Sequence, residues 1–423
     1  MKLITSAQAC GFGPASKLLS VVKLLSDAEI DFIGDGIALD FVRRNPDRFH
    51  AIDECEPERA RAVLRERAGR YDAAIVVMHA EIAFWAVRFG VPVSFFDSLF
   101  SFWKLERPLA ELARMVRQWS ALDDGDAYES FLSIAPHERN VAAHLLAHHS
   151  FVQRFPGVDE RVSALRELGF AHIEVTGSMI DMQNLPVAGS APPVRRNDYS
   201  IVASLGGYKN FLLDFDRNDE YLRLLERWTV DFMRARPQCK AMTLCSGAYL
   251  QPQTISIDGR LLSMTFASHD EFLQLVRRTP VILCTPGLTS IHETMHLGRL
   301  PLLLPEEHYG HVFNRRGLAR TRLGLLAAGL EDVIGGYELP EDDFTGTAAI
   351  VAVTRAILES PERYAAFSAA MTARVDAYVD FLASTDGSLD QHVREVHSLL
   401  EGPPLTDAVE SLLARHALYD EAP

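Results

Sequence analysis

Along this chain, short apolar runs alternate with longer stretches in which apolar positions recur every third or fourth residue, and they do so in two separate series. In the first series, residues 3–7 and 31–34 predict strands, Asp53 closes a short third, and residues 72–78 and 92–96 predict two more. Helical spacing falls at 16–25, at the charged stretch 56–67, and at 81–88, where Gly90 stops it. Residues 103–149 predict a mostly helical region with apolar faces of its own, and a strand returns at 171–176. The run Ala73-Ala74-Ile75-Val76-Val77 has no polar alternation. Such strands are buried on both faces, and with helices between them they predict a parallel sheet covered on both sides.

Small residues and proline at Ala188-Gly189-Ser190-Ala191-Pro192-Pro193 predict a linker. The second series then runs strand 199–204, helix 220–235, strand 241–245, helix 270–277, strand 281–284, helix 291–296, strand 300–304 and helix 313–321. Long helices at 361–383 and 390–400 end the chain, and no repeat of fixed period is present. The expected fold class is therefore α/β, with two Rossmann-like parallel-sheet domains. Residues 1–187 form the first, with a helical insertion, and 194–360 the second. Residues 361–423 are expected as helices packing back across a cleft between the carboxyl edges of the two sheets, where ligands of such folds sit.

The densest chemical signal is Thr285-Pro286-Gly287-Leu288-Thr289-Ser290-Ile291-His292-Glu293, followed by Gly298-Arg299-Leu300-Pro301. A buried strand that turns through Pro-Gly into a helix points backbone N–H groups, and the positive end of the helix dipole, at whatever lies above the sheet. That arrangement suits a phosphate, and Glu293, one turn in, could accept ribose hydroxyls. An ordinary capped helix in an α/β domain carries the same pattern.

Composition removes several classes. The 42 basic and 57 acidic residues give a net charge of −15, and no Lys/Arg-dense block offsets it, so no nucleic-acid partner is expected. Cys10, Cys55, Cys239, Cys245 and Cys284 are scattered without ligand spacing, which predicts buried thiols in a reducing compartment. No apolar run approaches the roughly 18 residues of a membrane span, and the first residues are too short an apolar run for a signal peptide. A cytoplasmic protein is expected.

The second half resembles the donor domain of GT-B glycosyltransferases, which transfer a sugar from a nucleotide diphosphate. Four stretches carry the likeness in order: Ser204-Leu205-Gly206-Gly207, Thr285 through Glu293, Gly298-Arg299-Leu300-Pro301, and Asn314 with Gly317-Leu318-Ala319. In the first half, Gly11-Phe12-Gly13 resembles the flexible loop after the first strand of the acceptor domain. A narrower likeness, through Gly11-Phe12-Gly13-Pro14-Ala15-Ser16-Lys17-Leu18, Asp97-Ser98-Leu99 with Trp103, and Thr285-Pro286-Gly287-Leu288-Thr289, is to the cytosylglucuronate synthase group, which joins glucuronate from UDP-glucuronate to cytosine in nucleoside-antibiotic pathways. The resemblance implies a glycosyltransferase of specialised metabolism using a UDP-sugar and a small, nucleobase-like acceptor, with no metal and no further cofactor. A UDP-sugar 2-epimerase on the same fold and a non-catalytic helper are the alternatives, and a homodimer is compatible with either half.

On the donor side the expected residues are Gly13, Gly206, Gly207, Gly287, Leu288, Thr289, Ser290, Glu293, His308 and His311, with Lys209 as a cation for the leaving group or a solvated surface lysine. The sugar-binding loop departs from the family pattern: it reads Pro305-Glu306-Glu307-His308-Tyr309-Gly310-His311, and two carboxylates there would repel an anionic sugar. Such a loop predicts a neutral hexose or pentose over glucuronate. The base candidates follow N-terminal strands: Asp97 first, then His79, with Glu81 beside it. Each could equally cap a helix. His144 and His148 are spaced i, i+4, but Leu145-Leu146-Ala147 between them lack the carboxylate of a zinc motif, so a satisfied structural pair is expected.

Overall fold

A computed structural model describes residues 1–182, 185, 192–207, 219–249, 251–334, 337–384 and 389–420. Lys209 and most of the expected linker lie outside the described residues. The chain divides into two compact units, Met1–Asp181 with Leu399–Pro423, and Met182–Ser398.

The first unit is built on seven strands: β1 (Lys2–Ala7), β2 (Glu29–Gly34), β3 (Ala51–Glu54), β4 (Ala73–Val77), β5 (Val93–Asp97), β6 (His149–Gln153) and β7 (Ile173–Thr176). All pair in parallel, in the order β3-β2-β1-β4-β5-β6-β7. β4 and β5 are buried along their whole length, as helices on both faces require. β6 was hidden in the stretch expected to be helical. Its polar residues have internal partners: Ser150 Oγ lies 2.6 Å from His144 Nδ1, and Gln153 Oε1 accepts the Met179 N–H at 3.0 Å. A strand satisfied in this way need not look apolar.

After the second unit the chain returns to the edge of this sheet. Pro403 O accepts both the Gly177 N–H at 2.7 Å and the Thr176 hydroxyl at 3.0 Å, and the Arg154 guanidinium reaches Glu401 O at 3.0 Å. Gly177 and Gly402 meet backbone to backbone: a Cβ on Gly402 would stand 2.8 Å from Gly177 N.

The second unit holds β8 (Tyr199–Ser204), β9 (Cys239–Cys245), β10 (Gln253–Ile257), β11 (Arg260–Thr265), β12 (Val281–Cys284) and β13 (Leu302–Leu303), ordered β10-β11-β9-β8-β12-β13. All pairs are parallel except the hairpin β10–β11, which turns at Asp258 and Gly259, both with positive φ. That hairpin was not expected. Against this sheet pack Leu225, Trp228 and Phe232 of the helix Asp219–Ala235 and Phe367, Met371 and Val375 of the helix Pro361–Ser384. Tyr378 of the latter donates its hydroxyl to Leu300 O at 2.5 Å, so this long helix is part of the second unit's core.

Gly402→Ala is expected to push the returning segment off the β7 edge. Overpacking of this kind costs roughly 1–3 kcal/mol, several degrees in the melting temperature of a unit of this size. A variant melting within a degree of the parent would show that the segment does not close against Gly177.

Candidate functional site

In each sheet the strand order reverses once, between β1 and β4 in the first and between β8 and β12 in the second. Connections leave such a pair toward opposite sides, and a crevice opens above the strands' carboxyl ends. In the second unit this crevice is lined by three loops. Leu205 N–H donates to Cys245 O at 2.8 Å, Gly247 N–H to Gly206 O at 3.1 Å and Thr285 N–H to Ser204 O at 2.9 Å, which ties the loops after β8, β9 and β12 together. Gly206 takes φ 72°, a left-handed conformation that suits glycine, and a Cβ there would lie 3.5 Å from Thr285 Oγ1. Gly207 beside it is buried.

The expected helix is present as Leu288–His296, with Gly287 as N-cap and no side chain capping it. Its first N–H groups, from Leu288 to Ser290, therefore point out of the helix end, with Thr289 and Ser290 half-buried beside them. Asn314 Nδ2 donates to Pro286 O at 2.8 Å and fixes the turn from the far side. The helix stops through a left-handed Gly298 (φ 70°), with Arg299 N–H returning to Thr294 O at 2.9 Å. The buried Arg299 guanidinium then holds Thr279 O and Pro280 O, at 2.5 and 2.8 Å. Thus Gly298-Arg299-Leu300-Pro301 is a helix stop and a brace for β12. Glu293 does not face the crevice as a ribose acceptor would: it is 2% exposed, and His269 Nε2–H donates to its Oε1 at 2.6 Å.

The loop after β13 separates the two carboxylates that the sequence placed together. Glu306 is wholly buried, accepts the Leu330 N–H at 3.1 Å, and stands 3.7 Å from Arg315, which also pairs with Glu331 at 2.5 Å. Glu307 is buried too, and burial pushes its carboxyl up to about 8, so it is mostly uncharged at neutral pH. Of the two charges expected to repel an anionic sugar, one is therefore paired with Arg315 and the other is mostly absent. His308 and His311 follow one helical turn apart, with ring centroids 3.9 Å from each other. Burial holds His308 down at about 4 and His311 well below its ordinary value, so both imidazoles are neutral. His311 Nε2 lies on the Gly287 side, 3.9 Å from where a Cβ on that glycine would be.

In the first unit, Ser6 and His79 meet at the point of strand reversal. Ser6 Oγ lies 2.9 Å from His79 Nδ1, and burial lowers the imidazole to about 4. Met78, just before it, takes φ 58°, an uncommon left-handed conformation for a side-chain-bearing residue. Glu81 accepts the Tyr128 hydroxyl, and burial raises its carboxyl. Gly13 is the second residue of the helix Phe12–Lys23, which begins earlier than its spacing suggested, with the left-handed Gly11 (φ 104°) as N-cap.

Asp97 has no exposed surface. Its carboxylate accepts Leu99 N–H at 2.6 Å, Trp103 Nε1–H at 2.5 Å and His144 Nε2–H at 2.9 Å, while Ser150 holds the other face of His144. The expected base thus meets a fully occupied acceptor. His144, half of the i, i+4 histidine pair, is its positioning partner, a link that no local spacing signals.

No protein-family model matches the chain, and no curated protein matches it. Solved structures do. LpCGTa in complex with UDP is 14% identical, with a TM-score of 0.49 over 94% of this chain and 99% of that one. The Staphylococcus aureus MnaA–UDP co-structure is 11% identical, with a TM-score of 0.47 over 95% and 98%. A UDP-glucosyltransferase from Polygonum tinctorium capable of glucosylating indoxyl is 15% identical, with a TM-score of 0.44 over 94% and 98%. These are distant likenesses.

Asp97→Asn puts an amide NH2 where one set of donors now finds an acceptor. It is expected to cost about 1–3 kcal/mol and to lower the melting temperature by several degrees. Unchanged melting together with a turnover loss of about 10²–10⁴-fold would instead return Asp97 to the role of base.

Proposed function

We propose that the second unit binds the diphosphate of a nucleoside-diphosphate sugar, with UDP as the nucleotide, and that the protein is a GT-B-type glycosyltransferase acting on a small, nucleobase-like acceptor. One observation carries the reading. An uncapped helix N-terminus, with a glycine at its cap, stands in the crevice where β8 and β12 diverge, beside the left-handed Gly206. Glycines allow a diphosphate to approach the backbone closely, and the helix end offers N–H groups and about half a positive charge.

In sugar transfer the anomeric carbon gains positive character while the nucleoside diphosphate leaves with negative charge. Donors fixed before the reaction stabilise that charge without reorganising. Here they are the amides of Leu288, Thr289 and Ser290, the two hydroxyls beside them, and the neutral imidazole of His311. Thr289 and Ser290 would bind phosphate oxygens, and His308 and His311 the sugar side of the donor. Lys209, outside the described residues, remains a candidate cation. On the acceptor side we assign His79, which stands where β1 and β4 diverge and is unprotonated near neutral pH. A neutral imidazole there can take the acceptor's proton while Ser6 orients the ring.

Gly287→Val should leave the fold intact, since a Cβ there finds nothing closer than His311 Nε2 at 3.9 Å, yet its branches would cover the helix end. Calorimetric titration with UDP should then show binding weakened by about tenfold or more, with melting preserved. Full affinity in the variant would remove the phosphate from this helix.

His79→Gln should reduce transfer by about 10²-fold or more while UDP-sugar affinity stays the same. The assay is incubation with a panel of UDP-sugars, reading release of free UDP. A changed sugar in place of released UDP would replace transfer by epimerisation, and retained turnover in the variant would remove His79 from the chemistry.

A further inference from the structure

Two groups of three metal-ligating side chains occur among the described residues. In Glu29, Asp31 and His50 a cation is already supplied: Lys2 Nζ lies 2.5 Å from Glu29 and 3.7 Å from Asp31. The other group is different. Glu307, His308 and His311 each offer a ligand atom within 4.8 Å of the others, and among the described residues no ion pair engages the Glu307 carboxylate.

We propose that Glu307, His308 and His311 form a binding site for a divalent transition-metal ion of the Zn2+ type. Two imidazoles and one carboxylate are a donor set suited to such an ion, which takes nitrogen and oxygen at about 2.0–2.2 Å and, with three protein ligands, keeps a fourth position open. All three ligands lie within five consecutive residues. His308 caps the helix Tyr309–Gly317, His311 sits one turn inside it, and Glu307 precedes them, so the ligand atoms can close on an ion by side-chain rotation alone.

The present contacts leave room for that. Glu307 N–H stands 3.4 Å from His311 Nδ1, longer than the usual 2.7–3.2 Å of such a bond. An ion at Nδ1 replaces this weak contact and leaves Nε2–H on the side of Gly287. A buried carboxyl with no basic partner is costly to ionise, and a dication at 2 Å offsets that cost directly. The site stands on these three side chains and holds whether or not the donor reading does.

The test uses the full chain, stripped of metal and free of nucleotide, titrated with Co2+ and read by its visible ligand-field absorption, then with Zn2+ in competition. One ion per chain is expected. His308→Ala and Glu307→Gln should each weaken binding by at least about tenfold, while His50→Ala binds as the parent does. Melting without metal checks that the variants are folded; Glu307→Gln keeps the volume and the neutral state of the buried side chain. No stoichiometric absorption, parental affinity in both folded variants, or loss of binding in His50→Ala would each overturn the site.

Discussion

β8 and β12 lie side by side, but the chain leaves β8 toward β9 and leaves β12 toward β13. Right-handed crossovers carry those departures to opposite faces of the sheet, and a crevice opens at the carboxyl ends between them. Every other feature of the second unit's candidate site follows from that gap. Backbone has to line it, so Gly206 appears where φ must be positive, and the next helix starts at its rim with its amides turned inward. The braces are placed behind it: Arg299 on the carbonyls before β12, and Asn314 on the carbonyl of Pro286. The first unit repeats the constraint between β1 and β4, where Ser6, the left-handed Met78 and His79 meet.

Features that depend on local pattern were legible in the sequence. The Val/Ile-rich strands, the Pro-Gly turn before Leu288 and the alternation of strand and helix all come from short-range preference and two-sided burial. Features that depend on long-range pairing were not. β6 carries His, Ser and Gln, and becomes a core strand only because His144 and the Met179 N–H satisfy two of them from elsewhere. The β10–β11 hairpin did leave a local signal, Asp258-Gly259, the dipeptide of a tight two-residue turn. Its flanks hid it, because β10 is five residues long and exposed except at Ile257, with only Ile255 and Ile257 on its apolar side.

Carboxylates were the hardest residues to read. Asp97 and Glu306 stand at or just after strand ends, and Glu293 one turn into the helix that follows β12, positions where a ligand could meet them. All three are instead buried and used as internal acceptors, for Trp103 and His144, for His269, and for Leu330. The physical reason is common to them. Loops that gather at the edge of a parallel sheet bring many N–H groups out of water, and a carboxylate accepts several at once. Spacing along the chain says that an acid stands near the crevice; only the fold says whether the crevice or the scaffold receives its oxygens.

The same division governs the positive charges. Among the described residues, Arg299 is spent on the backbone carbonyls before β12 and Arg315 on Glu306 and Glu331. The described groups at the crevice are neutral: helix amides, the Thr289 and Ser290 hydroxyls, and imidazoles whose burial keeps the proton off. Such donors discriminate by geometry more than by charge, because their dipoles are fixed by the sheet and the helix and do not follow the ligand. On the reading proposed above, a diphosphate would bring its own negative charge to a site that supplies about half a positive one from a single helix end. In that reading the balance would come from outside the helix, where Glu307, His308 and His311 bring three ligating atoms within 4.8 Å of one another.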